Sequence, residues 1–297
     1  MEEIKNHPLY RVHNLDSVMS TMWEFYKKKF VVLIIASFIM SLCIQLLSLT
    51  FDLKELTSIT DPMEMLEKVK DMIVPMLLIS VANLLFAVIL QYYIIFSPVN
   101  TDVSIFSSIY KSLKYFLPYL IILVLLSFFG AFVIMLGLIA LIIGVFFSIL
   151  YLMMIFMFIL PILMVEGNNI ASAITRTAKL SHKGFWPNMG WTAVLVLILI
   201  VFSLVASAIV VLPFTGSFLK MISNPEEAAN AVNYLYNPVF IILTSLVNAI
   251  TFPLIPIFST ILYFNGRARE EGSQMSVPDG NEPPRVTVED LYAKPRE

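Results

Sequence analysis

The sequence predicts an all-α polytopic membrane protein, a bundle of six transmembrane helices, and three observations support this. Hydrophobic residues make up 59% of the 297 residues and charged residues only 13%, about half the roughly 25% of an average soluble domain. The apolar residues fall into six runs, each long enough to cross a hydrocarbon core of about 30 Å as a helix of about 20 residues. The runs also lack the alternation of a lipid-facing barrel strand.

The six runs define a membrane domain over residues 30–272. They cover residues 30–51, 73–98, 116–136, 139–165, 191–213 and 239–264. Residues 1–29 form a charged N-terminal segment. The first apolar run has no small-residue cleavage site, so we expect this run to remain in the protein as an uncleaved anchor. Residues 273–297 are polar and proline-rich, and they have too little apolar area to offset the entropy of ordering. We expect a disordered tail there.

The third and fourth runs form one stretch of about 50 apolar residues, which is too long for a single span. Gly137 and Gly144 are the only residues in it that mark a turn. The stretch therefore predicts a tight hairpin of two helices.

The distribution of basic residues predicts the orientation. In the six-span arrangement, fifteen Lys and Arg lie on the side of the two termini and four lie on the other side, which accounts for all nineteen. Cytoplasmic loops carry the excess of Lys and Arg. Both termini are therefore predicted in the cytoplasm, in a bacterial inner membrane.

Two segments predicted to lie outside the cell begin with helix-start signals. Asp61-Pro62-Met63-Glu64 places an N-cap, a proline at the first helical position and an acid close behind. Asn224-Pro225-Glu226-Glu227 repeats the pattern. We expect short external helices at both places.

Three similar segments precede spans on the cytoplasmic side. Residues 16–30 and 102–116 each begin with Asp and end with Phe fourteen positions later, and residues 169–185 are a looser copy. Asp16, Asp102 and Asn169 are predicted N-caps of interfacial amphipathic helices. The pattern predicts three repeated units of an amphipathic helix and a two-helix hairpin. The alternative is that the positive-inside rule alone produces it.

Two motifs carry a resemblance to a known family. PILMVEGNNIASAITRTAKLSHKG runs from Pro161 to Gly184, and LYFNGRAREEG runs from Leu262 to Gly272. Together they resemble the bacterial integral membrane family named after the membrane domain of glycerophosphoryl diester phosphodiesterases, over residues 116–272. The resemblance implies the non-catalytic membrane part. It does not imply the hydrolase activity, because no separate catalytic domain fits in this chain.

The same motifs supply the candidate site residues. They are the ionisable groups near the predicted cytoplasmic interface, namely Glu166, Arg176, Lys179, Lys183 and Arg267. One interpretation is a binding site for a lipid headgroup or a partner. The other, which we favour, is a salt bridge between Glu166 and Arg176 that holds the amphipathic helix in place.

The sequence favours a non-enzymatic structural, scaffolding or regulatory role, with the lipid bilayer, anionic headgroups and other membrane proteins as partners. The three histidines lack metal-ligand spacing, no cofactor motif appears, and no basic stripe suggests nucleic acid.

The alternative is a transporter or lipid-handling protein, which predicts a continuous polar cavity near Gln91, Asn248, Pro253 and Pro256. The two prolines interrupt the sixth run, as either a kink or a substrate site.

Overall fold

The computed structural model describes residues 2–50, 59, 61–139, 141–167, 169–216 and 232–275. Within these ranges the regular structure is helical, and no strand occurs. Short 3-10 helices cover Leu212–Phe214 and Val232–Tyr236. The α-helices are α1 Glu2–Lys5, α2 Leu15–Lys28, α3 Phe30–Ser48, α4 Pro62–Phe96, α5 Ile105–Ile139, α6 Leu141–Val165, α7 Ile170–Lys183, α8 Phe185–Val211, α9 Pro238–Thr251 and α10 Leu254–Met275.

The predicted all-α bundle of six spans is confirmed. Helices α3, α4, α5, α6 and α8 and the pair α9–α10 are each long and apolar enough to cross a membrane. The protein is therefore a multi-pass membrane protein. Several helices run beyond the predicted spans. Helix α4 has 35 residues, or about 52 Å at 1.5 Å per residue, well beyond the hydrocarbon core.

The tight hairpin between α5 and α6 is also confirmed. A Cβ added to Gly137 would lie 2.7 Å from the backbone oxygen of Gly144, so only glycine permits this approach of the two helices. The chain reverses direction beside Leu141, whose φ is 58°. Positive φ is costly for a residue with a side chain, and here it places α6 directly against α5.

The start of α4 differs from the predicted short external helix. Asp61 is the N-cap, and its Oδ1 accepts a hydrogen bond of 2.9 Å from the Met63 amide, as predicted. The helix then continues without interruption to Phe96. The second predicted external helix, beginning at Asn224, and the predicted tail after Met275 lie outside the described residues.

Two predicted N-caps were wrong. Asn14, not Asp16, caps α2, and it exchanges hydrogen bonds of 2.9 Å with Ser17 in both directions. Ser104, not Asp102, precedes α5 and makes the same reciprocal contact with Ser107. A capping box satisfies two helix-end amides at once, so it prevails over a nearby Asp.

The third predicted cap is confirmed, because Asn169 Oδ1 accepts from the Ser172 amide at 3.1 Å. The three predicted units are nevertheless unequal. Helices α2 and α7 each have 14 residues, and a single residue, Lys29 or Gly184, separates each from the next span. The corresponding part of the second unit continues without a break into α5.

The core lies toward one end of the bundle, which we call the α7 end because α2, α7 and the C-terminal half of α10 meet there. Eight successive residues of α4, from Val88 to Ile95, are buried. At the opposite end, the same helix exposes Met63, and α6 exposes Ile142 and Ile143. The helices therefore pack densely at the α7 end and present apolar side chains to lipid at the other.

The last span is broken, as its prolines predicted. Helix α9 ends at Thr251 and α10 begins at Leu254, with Pro253 between them. The hydroxyl of Tyr26 in α2 donates to the Ile250 carbonyl at 3.1 Å, so α2 satisfies a carbonyl at the break. Pro256 lies in the first turn of α10, where the missing amide has no helical acceptor in any case.

Candidate functional site: an ion-pair network at the α7 end

The network begins where α6 turns into α7. Glu166 follows the last residue of α6, and its amide still donates to the Ile162 carbonyl at 2.8 Å. Gly167 then adopts a φ of 117°, which glycine tolerates because it has no Cβ. The turn lets Asn169 cap α7, and α7 buries the face formed by Ala173, Thr177, Leu180 and Ser181.

Arg176 is the centre of the network. Its Nε donates to Glu166 Oε2 at 2.8 Å, and its Nη2 lies 2.5 Å from Glu270 Oε2. Lys179 Nζ contacts the other oxygen of Glu270 at 2.9 Å. These three ion pairs therefore join α7 to α10, which carries Glu270, and to the end of α6, where Glu166 lies.

A second branch runs along α10 to the N-terminal segment. The Tyr263 hydroxyl donates to Glu166 Oε1 at 2.9 Å, and Arg267 Nη1 donates to the Tyr263 oxygen at 3.2 Å. Arg267 also lies 3.5 Å from Glu271, which pairs with Lys5 Nζ at 3.1 Å. The network therefore connects the N-terminal segment to α7 through α10.

These pairs lie partly out of water. The side chains of Arg176 and Glu166 are 21% and 23% exposed, and that of Glu270 is 11% exposed. The hydrogen bond to Glu270, followed by that to Glu166, raises the pKa of Arg176 above its usual range despite partial burial. Hydrogen bonds to charged groups contribute about 1.5 to 3 kcal/mol each, and the low exposure limits screening by salt.

The structure brings together four of the five predicted site residues. Glu166 contacts Arg176, as predicted, and Lys179 and Arg267 join the same network. Lys183 lies in the last turn of α7, with an exposed side chain. The sequence reasoning missed Tyr263, Glu270, Glu271 and Lys5. The first three lie within the second motif, LYFNGRAREEG, but nothing in the sequence indicated which of its charges face α7.

An open groove of about 490 Å³ lies beside the network. Its lining includes Glu166 and Gly167 from the turn and Ser172, Thr175, Arg176 and Lys179 from α7. Both signs of charge line this groove, and the two cations in it are already paired with carboxylates. The arrangement can hold α7 against α10. Among the described residues, no three His, Cys, Asp or Glu side chains lie close enough together to hold a metal ion.

The N-terminal segment is attached on the other side of α10. The His13 amide donates to Asn265 Oδ1 at 2.9 Å, and Arg269 Nη2 donates to the His13 carbonyl at 2.8 Å. The centroids of the His7 and Phe264 rings lie 4.9 Å apart. His7 Nδ1 accepts from the Leu9 amide, so its Nε2 must carry the proton and donates to the Ile94 carbonyl at 3.1 Å.

The histidines of this segment are held uncharged. Burial lowers the pKa of His7 to about 4, and burial also lowers the pKa of His13. Both side chains are buried and hydrogen-bonded to backbone carbonyls. They therefore stabilise the fold of the segment.

The transporter alternative predicted a continuous polar cavity near Gln91, Asn248, Pro253 and Pro256. The cavity that lies in this region is mainly apolar. Its volume is about 250 Å³, and Gln91 and Pro256 line it, whereas Asn248 and Pro253 do not. Gln91 Nε2 donates to the Pro256 carbonyl at 3.2 Å and to Thr260 Oγ1 at 2.6 Å. The donor hydrogens of the Gln91 amide thus join α4 to α10.

Comparison of the chain with family models, curated proteins and solved structures finds no match. The resemblance carried by the two motifs therefore stays a prediction, and the site is interpreted from its own geometry.

Proposed function

We propose that the protein is a non-enzymatic component of a bacterial inner membrane, with a structural, scaffolding or regulatory role. The observation that carries the proposal is the network centred on Arg176. Its charges are paired with one another, at 2.8 Å to Glu166 and 2.5 Å to Glu270. A network whose charges satisfy one another favours a structural role over the binding of an external ion.

The proposed orientation places the α7 end in the cytoplasm. The excess of basic residues on that side supports it, and so does the attachment of the N-terminal segment to the end of the last span through His13 and Asn265. Single cysteines can test it in a Cys43→Ser background, since Cys43 is the only cysteine. We expect Glu67→Cys to react with a membrane-impermeant maleimide in intact cells, and Thr175→Cys to react only after permeabilisation. Labelling of both in intact cells would exclude the six-span orientation.

The α7 end also carries exposed lysines that fit an anionic leaflet. Lys27 lies 5.9 Å from the ring of Trp23, and Lys114 lies 4.9 Å from the ring of Tyr115. Lysines next to aromatic rings are typical of the headgroup region, where each basic residue contributes about 1 kcal/mol to the binding of anionic lipid. We infer that α2 and the start of α5 contact the cytoplasmic headgroups.

Lipid retention in native mass spectrometry tests this contact. We expect the combined change Lys27→Gln, Lys28→Gln, Lys111→Gln and Lys114→Gln to reduce the anionic lipid retained. Lys68→Gln with Lys70→Gln is the matched control at the opposite end, and it should retain lipid as the native protein does. Equal retention in the two variants would remove the proposed membrane-surface role.

Complementation of a deletion strain tests the scaffold role itself. If the network is structural, Glu166→Ala and Arg176→Ala should lose function in proportion to their loss of thermal stability. A Glu166→Ala protein that keeps native stability and yet fails to complement would instead indicate that Glu166 binds a ligand or partner.

A further inference from the structure

The cavity of about 250 Å³ lies among four spanning helices, away from the ion-pair network. Helix α4 lines it with Ala87 and Gln91, and the remaining lining includes Tyr119 of α5, Met157 of α6, and Ile255 and Ser259 of α10. The cavity is smaller than the roughly 300 to 1,000 Å³ that encloses a drug-sized ligand. It can therefore take one end of a larger molecule.

Gln91 gives this cavity a hydrogen-bond acceptor. The residue is only 2% exposed, and its Nε2 makes both of its hydrogen bonds. Because the Pro256 carbonyl can only accept, the nitrogen must face it, and this fixes the position of the oxygen. Gln91 Oε1 accepts no hydrogen bond from the described residues. An acceptor that is largely removed from water and has no donor is unfavourable, and a bound donor would remove this cost.

The other polar atoms of the cavity define the kind of donor. The Ser259 hydroxyl is already used, because it donates to the Met157 carbonyl. Tyr119 adds a phenol ring and hydroxyl to the lining, and no Asp, Glu, Lys, Arg or His side chain is among the lining residues. A charged group would be buried there without a counter-charge, which is costly. The cavity therefore suits an uncharged donor such as a hydroxyl.

The surroundings define the rest of the ligand. All four helices that line the cavity are spanning helices, and Ile255 at its wall is 42% exposed on the lipid-facing surface. A molecule that enters from this side comes from the bilayer, and the part that does not fit stays among acyl chains. We propose that the cavity binds the hydroxyl end of an uncharged lipid, a diacylglycerol or a long-chain alcohol, with the hydroxyl donating to Gln91 Oε1. This goes beyond the proposed scaffold role and does not depend on it.

Binding of 1,2-dioleoyl-sn-glycerol to the purified full-length protein in detergent tests the proposal. The matched ligand is its 3-O-methyl ether, which has the same chains and no donor. We expect the ether to bind about fivefold more weakly, the loss of about one net hydrogen bond. Dioleoyl phosphatidic acid should not displace the alcohol. Equal binding of alcohol and ether, or displacement by the phosphatidic acid, would overturn the proposal.

Two protein variants locate the site. Ala87→Phe fills the cavity without removing a hydrogen bond, and we expect it to weaken binding by about tenfold or more, because the site cannot take both groups. Ala82→Phe on the same helix does not touch the lining and should bind like the native protein. Unchanged binding in Ala87→Phe would show that the lipid binds elsewhere. A thermal melt of both variants confirms that each remains folded.

Discussion

Helices α2 and α7 have the same length and the same kind of N-cap, but α2 is held in the bundle mainly by apolar burial and α7 mainly by ion pairs. Each has 14 residues, begins after an asparagine cap and ends one residue before a spanning helix. Both lie against α10. Each of the four buried positions of α7 has a buried counterpart in α2: Ala173 with Val18, Thr177 with Met22, Leu180 with Phe25, and Ser181 with Tyr26.

The residues at these positions differ in size. The buried side chains of α2 are consistently larger than those of α7, so α2 buries more apolar area and gains more from the hydrophobic effect. Helix α7 compensates with Arg176, which corresponds to Thr21 in α2 and pairs with two carboxylates. The same helix geometry can therefore be stabilised either by burial or by ion pairs, and the two attachments should respond differently to mutation, pH and salt.

The largest expected effect is in the apolar attachment of α2. Phe25→Ala should lower the free energy of unfolding by about 3 to 5 kcal/mol, because it removes a buried aromatic ring and leaves a cavity. Leu180→Ala, at the matching position of α7, should cost about 2 to 4 kcal/mol. Urea denaturation followed by tryptophan fluorescence measures both.

Trp23→Ala is the control for this pair, since Trp23 lies on the exposed side of α2. It should change stability by less than about 0.5 kcal/mol. A larger effect of Leu180→Ala than of Phe25→Ala would contradict the assignment of α2 as the helix held mainly by burial.

A smaller effect should follow from lowering the pH to 5, on the α2 side, where His7 lies. The pKa of His7 is about 4 in the folded protein, below the ordinary value of about 6.5. The unfolded chain therefore takes up the proton first, and stability is complete above pH 6.5 and is lost as pH falls toward 4. Between pH 7.5 and 5 we expect a loss on the order of 1 to 2 kcal/mol.

His7→Gln is the matching variant, because glutamine keeps a donor for the Ile94 carbonyl and does not titrate. Its thermal midpoint should fall less than that of the native protein over the same pH range. If both fall equally, His7 is not the group responsible.

Salt should produce the smallest effect, and on the α7 side. The ion pairs of Arg176 are partly buried, so raising NaCl from 0.05 to 1 M, which shortens the Debye length to about 3 Å, should reduce stability by less than about 1 kcal/mol. Arg176→Met, which keeps much of the apolar stem, should remove most of this dependence. A salt dependence that is the same in the variant would place the sensitive charges elsewhere.

The sequence predicted the spans because hydropathy and helix length are local properties. It predicted the contact of Glu166 with Arg176 because the two residues are only ten positions apart. The partnership of Arg176 with Glu270 spans 94 residues, and no periodicity relates the two positions. The caps at Asp16 and Asp102 were wrong because Ser17 and Ser107 offer a reciprocal bond that a single Asp does not. The sequence could not predict that the cavity beside Gln91 is mainly apolar, because this depends on which faces of four separate helices meet in the folded protein.

The coupling energy between Arg176 and Glu270 shows whether ion pairs hold α7 against α10. It is measured by a double-mutant cycle with Arg176→Ala, Glu270→Ala and the double variant in urea denaturation. We predict that each single change lowers stability by about 2 kcal/mol, since it leaves a partly buried charge without its partner. The double variant should recover about 1 kcal/mol or more of the summed loss. Purely additive losses would show that the pair of Arg176 and Glu270 does not hold α7 against α10.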